Sequence, residues 1–155
     1  MDVVIVEGDL LDQKTESIVN AWNRNIIPWW LLIPCGVSGA IKKHGGIKPF
    51  CELGKMGPIP VGHAVITSSG KLPYKCIVHV ASINMFWCAN RDSIYNSVIS
   101  AMKLAEHSGL NSIAFPILGA GSGGFNAKQA ESIMLEAFHK LDSPIKVVLV
   151  RYKRR

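Results

Sequence analysis

Apolar positions along the chain fall into two kinds of segment. Six short runs are apolar almost throughout: Asp2–Val6, Ser17–Trp22, His63–Ser68, Cys76–Ser82, Ser112–Leu118 and Lys146–Tyr152. Runs of that length, rich in Val and Ile and without strict alternation, predict strands covered on both faces. Gly8-Asp9 ends the first, and Gly70 with Pro73 marks a turn between the third and fourth. Between the strands lie segments with a helical period. Ile94, Val98, Met102 and Ala105 recur at i+4 and i+3 spacing, which predicts a helix with Asp92 as N-cap and Gly109 as its stop. Another begins after Asn126 and lines up Ala130, Ile133, Met134, Ala137 and Phe138. Ser38–His44 reads as a helix stopped by Gly45-Gly46, with a short helix near Phe50–Lys55. Such alternation predicts a three-layer α/β fold. No linker, repeat or low-complexity segment interrupts it, so residues 1–155 are expected to form one domain.

Composition narrows the class. The 155 residues suffice for a hydrophobic core, and 48% hydrophobic against 18% charged residues excludes disorder. The most apolar run, Ile26–Pro34, falls far short of the ~20 residues of a membrane helix and carries Pro28 and Pro34. The opening MDVVIVEGD has an early acid and no basic n-region, so no secretory signal is expected. Cys35, Cys51, Cys76 and Cys88 lack CxxC or Cys/His spacing, which predicts free thiols in a reducing cytoplasm and no metal. The net charge of +6 hints at an anionic partner, but much of it sits in Arg151-Tyr152-Lys153-Arg154-Arg155. A terminal basic cluster is more often a solvated end than a binding site.

The candidate chemistry begins with GAGSGGF, residues 119–125. Glycine in four of the first six positions lets the backbone take positive φ and approach a ligand closely. The loop lies between a strand end and a helix N-terminus, where backbone N–H groups favour phosphate. A tight turn is the plain alternative, although one or two glycines would suffice for that. The string also matches G-x-G-x-x-G, but it follows the fifth strand and the last strand carries no acid for a ribose, so a Rossmann site does not fit. A Walker A loop fails because no Gly-Lys-Ser/Thr follows.

A third pattern does fit. Gly8-Asp9-Leu10, Ile18-Val19-Asn20-Ala21-Trp22-Asn23, Gly36-Val37-Ser38-Gly39-Ala40-Ile41, Gly45-Gly46, Gly62-x-Ala64-x-x-Thr67, Leu72-Pro73, Ile77-Val78-His79-Val80 and Ser112-Ile113-Ala114-Phe115-Pro116 with its glycine loop stand in order along nearly the whole chain. Together they resemble the macrodomain family. The resemblance implies a three-layer α/β/α macrodomain with a mixed, largely parallel central sheet and a cleft for ADP-ribose at the strand ends. Asp9 and the Leu10 amide would then meet the adenine. Gly119, Ala120, Gly121, Ser122, Gly123 and Gly124 would cradle the diphosphate, with Phe125 flanking it. Asn23 would reach the distal ribose as the candidate catalytic residue, with Cys35, Gly36 and Val37 closing over it. Tyr152 would stack on adenine, with Arg151 as the competing candidate. The chemistry agrees: a carboxylate accepts from an adenine amine, and backbone amides suit a diphosphate. No cofactor or metal is implied. The expected partner is ADP-ribose, free or carried on a protein or nucleic acid, with no membrane contact.

Plainer roles compete at several positions. Asp9 could simply cap a turn, Asn20 could tie backbone together, His79 could be a satisfied core histidine, and His44 suits a helix C-terminus. The chain also departs from the family. It inserts IIPWWLLIP after Asn23 and carries Ser38 where the hydrolase branch has an acid that helps activate water. A second hydrolase branch uses a lysine on the fourth strand and an aspartate in the glycine loop; here stand His79-Val80-Ala81 and Ser122-Gly123. That leaves Asn23, helped by Ser38, Cys35 or a substrate phosphate, and a serine cannot replace a carboxylate as general base at neutral pH. Reading and removing ADP-ribose therefore stay balanced. Trp29-Trp30 would form a lid over the distal cleft, a loop anchor or a homodimer contact. The competing class is a nucleic-acid-binding module using the basic tail and exposed tryptophans. Its basic residues are confined to a tail, so at most a weak nucleic-acid contact is expected.

Overall fold

The structure, a computed structural model, describes residues 1–23, 36–83, 88–120 and 124–153. Its strands are β1 (Val3–Gly8), β2 (Ser17–Asn23), β3 (Ala64–Thr67), β4 (Cys76–Ile83), β5 (Ser112–Pro116) and β6 (Lys146–Tyr152). They form a sheet in the order β1-β6-β5-β2-β4-β3, parallel throughout except that β3 runs antiparallel to β4. The helices are α1 (Gly36–Gly45), α2 (Lys48–Met56), α3 (Arg91–His107) and α4 (Ala127–His139).

Alternation of side chains along the central strands builds two cores. Val19, Val78, Val80, Ile113, Phe115, Val147 and Leu149 pack against the apolar stripes of α3 and α4. Their sequence neighbours Ile18, Ile77, Ala81, Ala114 and Val150 point the other way, onto Ile41 of α1 and Phe50 and Leu53 of α2. Side chains of successive strand residues face opposite sides, so an apolar run requires a cover on each. The result is the expected α/β/α sandwich with a mixed, mostly parallel sheet. Among the described residues no helix is long and apolar enough to cross a membrane.

Three sequence expectations are corrected. β1 was expected to be buried, yet Val4 and Ile5 are 52% and 37% exposed. It is an edge strand with β6 as its neighbour in the sheet, and an apolar run does not distinguish an edge from a centre. The N-cap of α3 is Asn90 rather than Asp92: Asn90 accepts from the Ser93 N–H while the Ser93 hydroxyl accepts from the Asn90 N–H. This reciprocal pair satisfies two otherwise orphaned donors, and Asp92 lies in the first turn, where its charge favours the helix dipole. The fifth strand also stops at Pro116 rather than Leu118. The expectations for Ile26–Pro34, including Trp29 and Trp30, and for Cys35, Gly121, Ser122 and Gly123 lie outside the described residues.

Candidate functional site

Sheet topology locates a crevice. Five parallel strands end along one edge of the sheet, and β5 lies beside β2. The chain leaves β5 towards α4 on one face and β2 towards α1 on the opposite face. Connections that diverge between neighbouring parallel strands open a cleft outside their carboxyl ends, the place where α/β sheets bind ligands.

The described ends of the loop after β5 lie at these carboxyl ends. Gly119 has φ +80°, and a Cβ there would come within 2.9 Å of Ala89 Cβ and 3.0 Å of Ile94 Cδ1, so both conformation and space require glycine. The Phe125 N–H donates to the Gly119 carbonyl at 3.0 Å, which holds the two ends of the glycine loop together. Ala120 and Phe125 rest against the core beneath α3 and α4. Asn126 caps α4, its Oδ1 accepting from the N–H groups of Lys128 and Gln129 at 3.0 and 3.1 Å. Those two first-turn amides are therefore already engaged.

At the β1–β6 corner, Gly8 pairs with Tyr152, and the Lys153 N–H donates to the Gly8 carbonyl at 3.0 Å. Asp9 follows directly. Its Oδ1 accepts from the Leu11 N–H at 2.9 Å, capping the short 3-10 turn Leu10–Asp12. The expected capping role is therefore present, and a carboxylate accepts more bonds than this one. The Leu10 side chain is core, leaving its backbone rather than its side chain for a ligand. Of the two candidates on β6, Arg151 is held by Glu131 of α4 through two hydrogen bonds of 2.7 and 2.8 Å. Arg151 depresses the Glu131 carboxyl below its usual range through that bond. Tyr152 is 77% exposed and lies beside Gly8. Tyr152 thus stands opposite Gly8, the residue before Asp9, while Arg151 is directed to Glu131.

Asn23 ends β2 just past a register shift between Trp22 and Asn23. Gly36 and Val37 open α1. Ser38, in the first turn, is buried and turned towards the sheet, where its hydroxyl donates to Asn20 Oδ1 at 2.8 Å. Asn20 Nδ2 meets His79 Nδ1 at 3.0 Å, and His79 Nε2 meets Thr67 Oγ1 at 2.7 Å. Burial lowers the His79 pKa to about 3, so the ring is neutral. His79 is the satisfied core histidine expected of its strand, and Asn20 binds protein rather than solvent. Thr67 entered the sequence reading only as part of Gly62-x-Ala64-x-x-Thr67, with no partner assigned to it. Its signal was positional: Asn20, His79 and Thr67 share a sheet face on three adjacent strands.

Among the described residues no three His, Cys, Asp or Glu side chains form a group that could hold a metal. In the basic tail, Arg151 is paired with Glu131, and Lys153 lies 3.9 Å from Glu7. Neighbouring acids thus offset two of the charges on which a nucleic-acid face would depend.

Comparison with known proteins bears on this arrangement. The Macro domain family model matches residues 19–134. A macro domain-containing protein of Caldanaerobacter subterraneus is 36% identical over 141 residues, covering 86% of this chain and 77% of the relative. O-acetyl-ADP-ribose deacetylase 2 of Pantoea vagans is 33% identical over 142 residues, covering 86% of this chain and 79% of the relative. A mutant macrodomain of Oceanobacillus iheyensis, solved with ADPR, superimposes with a TM-score of 0.82 at 26% identity, covering 96% of this chain and 83% of that one.

Proposed function

We propose that this chain, which belongs to the Macro domain family, binds ADP-ribose in the crevice between the ends of β5 and β2. The observation that carries this reading is the hydrogen bond that joins Phe125 to Gly119 across the glycine loop, at the point where the connections from β5 and β2 diverge. Glycine-rich backbone can offer N–H groups without side chains in the way, which suits two linked phosphates. The adenine lies at the β1–β6 corner, its amine donating to Asp9 and its ring on Tyr152. The diphosphate lies on residues 119–124, flanked by Phe125. The distal ribose points towards Asn23, Cys35, Gly36 and Val37. The bound ADPR of the Oceanobacillus iheyensis relative supports the choice of ligand.

Recognition rather than rapid turnover is the activity this site suits. Cleaving an ADP-ribosyl bond needs a positioned water and a group that takes its proton. Asn23 can orient a water through its amide, but an amide accepts no proton at neutral pH. The Ser38 hydroxyl already donates to Asn20 and is no base. The 33% identity to an O-acetyl-ADP-ribose deacetylase favours a second reading, slow hydrolysis of an ADP-ribose ester by water held near Asn23. Loss of one acid–base group typically costs ~10²- to 10⁴-fold in rate.

Calorimetry with ADP-ribose, AMP, ribose 5-phosphate and a short oligonucleotide tests the proposal. ADP-ribose should bind saturably at one site, AMP more weakly, and the oligonucleotide least. Tighter binding of the oligonucleotide than of ADP-ribose, or no heat with ADP-ribose, would remove it.

A further inference from the structure

A buried polar chain lies beneath α1 and makes none of the proposed ligand contacts. Ser38 on α1, Asn20 on β2, His79 on β4 and Thr67 on β3 are all buried, and each touches the next. Starting at Ser38, the links measure 2.8, 3.0 and 2.7 Å, and the Thr67 hydroxyl donates onward to the Ser68 carbonyl at 3.0 Å. Apolar side chains would fill this space without the cost of desolvating four polar groups. A fully connected polar chain instead fixes one arrangement of the elements it joins.

The chain has a direction. With the Ser38 hydroxyl donating to Asn20 Oδ1, the amide nitrogen faces His79 and can only donate. His79 Nδ1 is then bare, the ring proton sits on Nε2 and goes to Thr67, and the Thr67 proton goes to Ser68. The reverse direction would end with Ser38 donating to the Ala21 carbonyl at 3.3 Å and would leave the shorter Ser68 contact unused. An acid at position 38 has no proton to donate at neutral pH and would impose that reverse direction.

We propose that Ser38 is a positioning residue: through Asn20, His79 and Thr67 it pins the first turn of α1, and with it the Gly36–Val37 backbone that faces the distal ribose. Ser38 stands one residue after Val37, so whatever anchors its side chain anchors that turn. The serine also selects the Nε2–H form of His79. The ligand half of this inference rests on the ADP-ribose reading above; the tautomer half stands on the hydrogen bonds alone.

The test has two arms. Long-range ¹H–¹⁵N spectra of the wild type should show His79 neutral and protonated at Nε2, and Ser38→Asp should move the proton to Nδ1. In calorimetry, Ser38→Ala should weaken ADP-ribose about tenfold, since it leaves Asn20 Oδ1 without its donor. AMP, which lacks the distal ribose, should bind as in the wild type, and Ser38→Thr, which keeps the hydroxyl, should retain the affinity for ADP-ribose. A wild-type His79 protonated at Nδ1 would overturn the direction of the chain, whatever the variants do. Unchanged ADP-ribose affinity in folded Ser38→Ala, or equal losses for ADP-ribose and AMP, would overturn the positioning role. If the wild type binds no ADP-ribose, the proposed function fails and takes the positioning role with it; the tautomer result remains separate.

Discussion

Asp9 is proposed to serve fold and ligand together. One carboxylate oxygen caps the turn after β1, and the charge can still accept from an adenine amine. Asp9→Ala should therefore weaken ADP-ribose by roughly 1–3 kcal/mol, the usual cost of leaving a polar partner unmatched. Ribose 5-phosphate, which has no adenine, should be nearly unaffected in the same titration; equal losses would make Asp9 purely structural. His79 carries a different prediction. Its folded pKa of about 3 lies below its ordinary value of 6.5, so the unfolded chain takes up the proton first. Its contribution to stability is complete above pH 6.5 and declines towards pH 3, amounting to a loss of about 2 kcal/mol by pH 5. Urea unfolding at pH 7 and pH 5 should show that loss in the wild type and a smaller one in His79→Gln. Identical pH dependence in the two proteins would mean that His79 is not buried neutral.

At the level of elements, the sequence disclosed the six strands and four α-helices of the described chain, but not the 3-10 turn Leu10–Asp12, because apolar runs and a 3.6-residue period mark only the longer elements. It failed where two residues offered the same chemistry. Asn90 and Asp92 are both good caps, and only the Ser93 reciprocity decides between them. It failed again at β1, where burial depends on how many neighbours a strand has. The glycine loop was legible as a close-approach element, and its structural reason is now specific: Gly119 packs on Ala89 and Ile94. Gly119→Ala should cost at least about 1 kcal/mol for the positive φ, with a further ~1–3 kcal/mol for the crowded methyl. Thermal or urea unfolding measures it, and a variant as stable as the wild type would show that the loop does not need this conformation. The tail was legible as basic, but its pairing was not, since Glu131 and Glu7 approach Arg151 and Lys153 only in the fold.

For the whole molecule, strand order was the missing quantity. The sequence lists β1 to β6 in chain order, whereas the cleft depends on β5 lying beside β2 and on their connections leaving by opposite faces. The resemblance to macrodomains implied a mixed, largely parallel sheet with a cleft at the strand ends, and Asp9, Tyr152 and the glycine loop as candidates for its site, but not the strand order; the Ser38–His79 chain became visible only with side chains in place. The central claim is that one ligand spans the strand ends from the β1–β6 corner, across the glycine loop, to the start of α1. Amide chemical-shift mapping during an ADP-ribose titration tests that claim most directly. The account predicts saturable shifts at Leu10, Ala120, Gly124, Phe125 and Tyr152, together with residues 36–38, and predicts that AMP leaves residues 36–38 unmoved. Shifts confined to the outer faces of α2 or α3, or none at the strand ends, would contradict it.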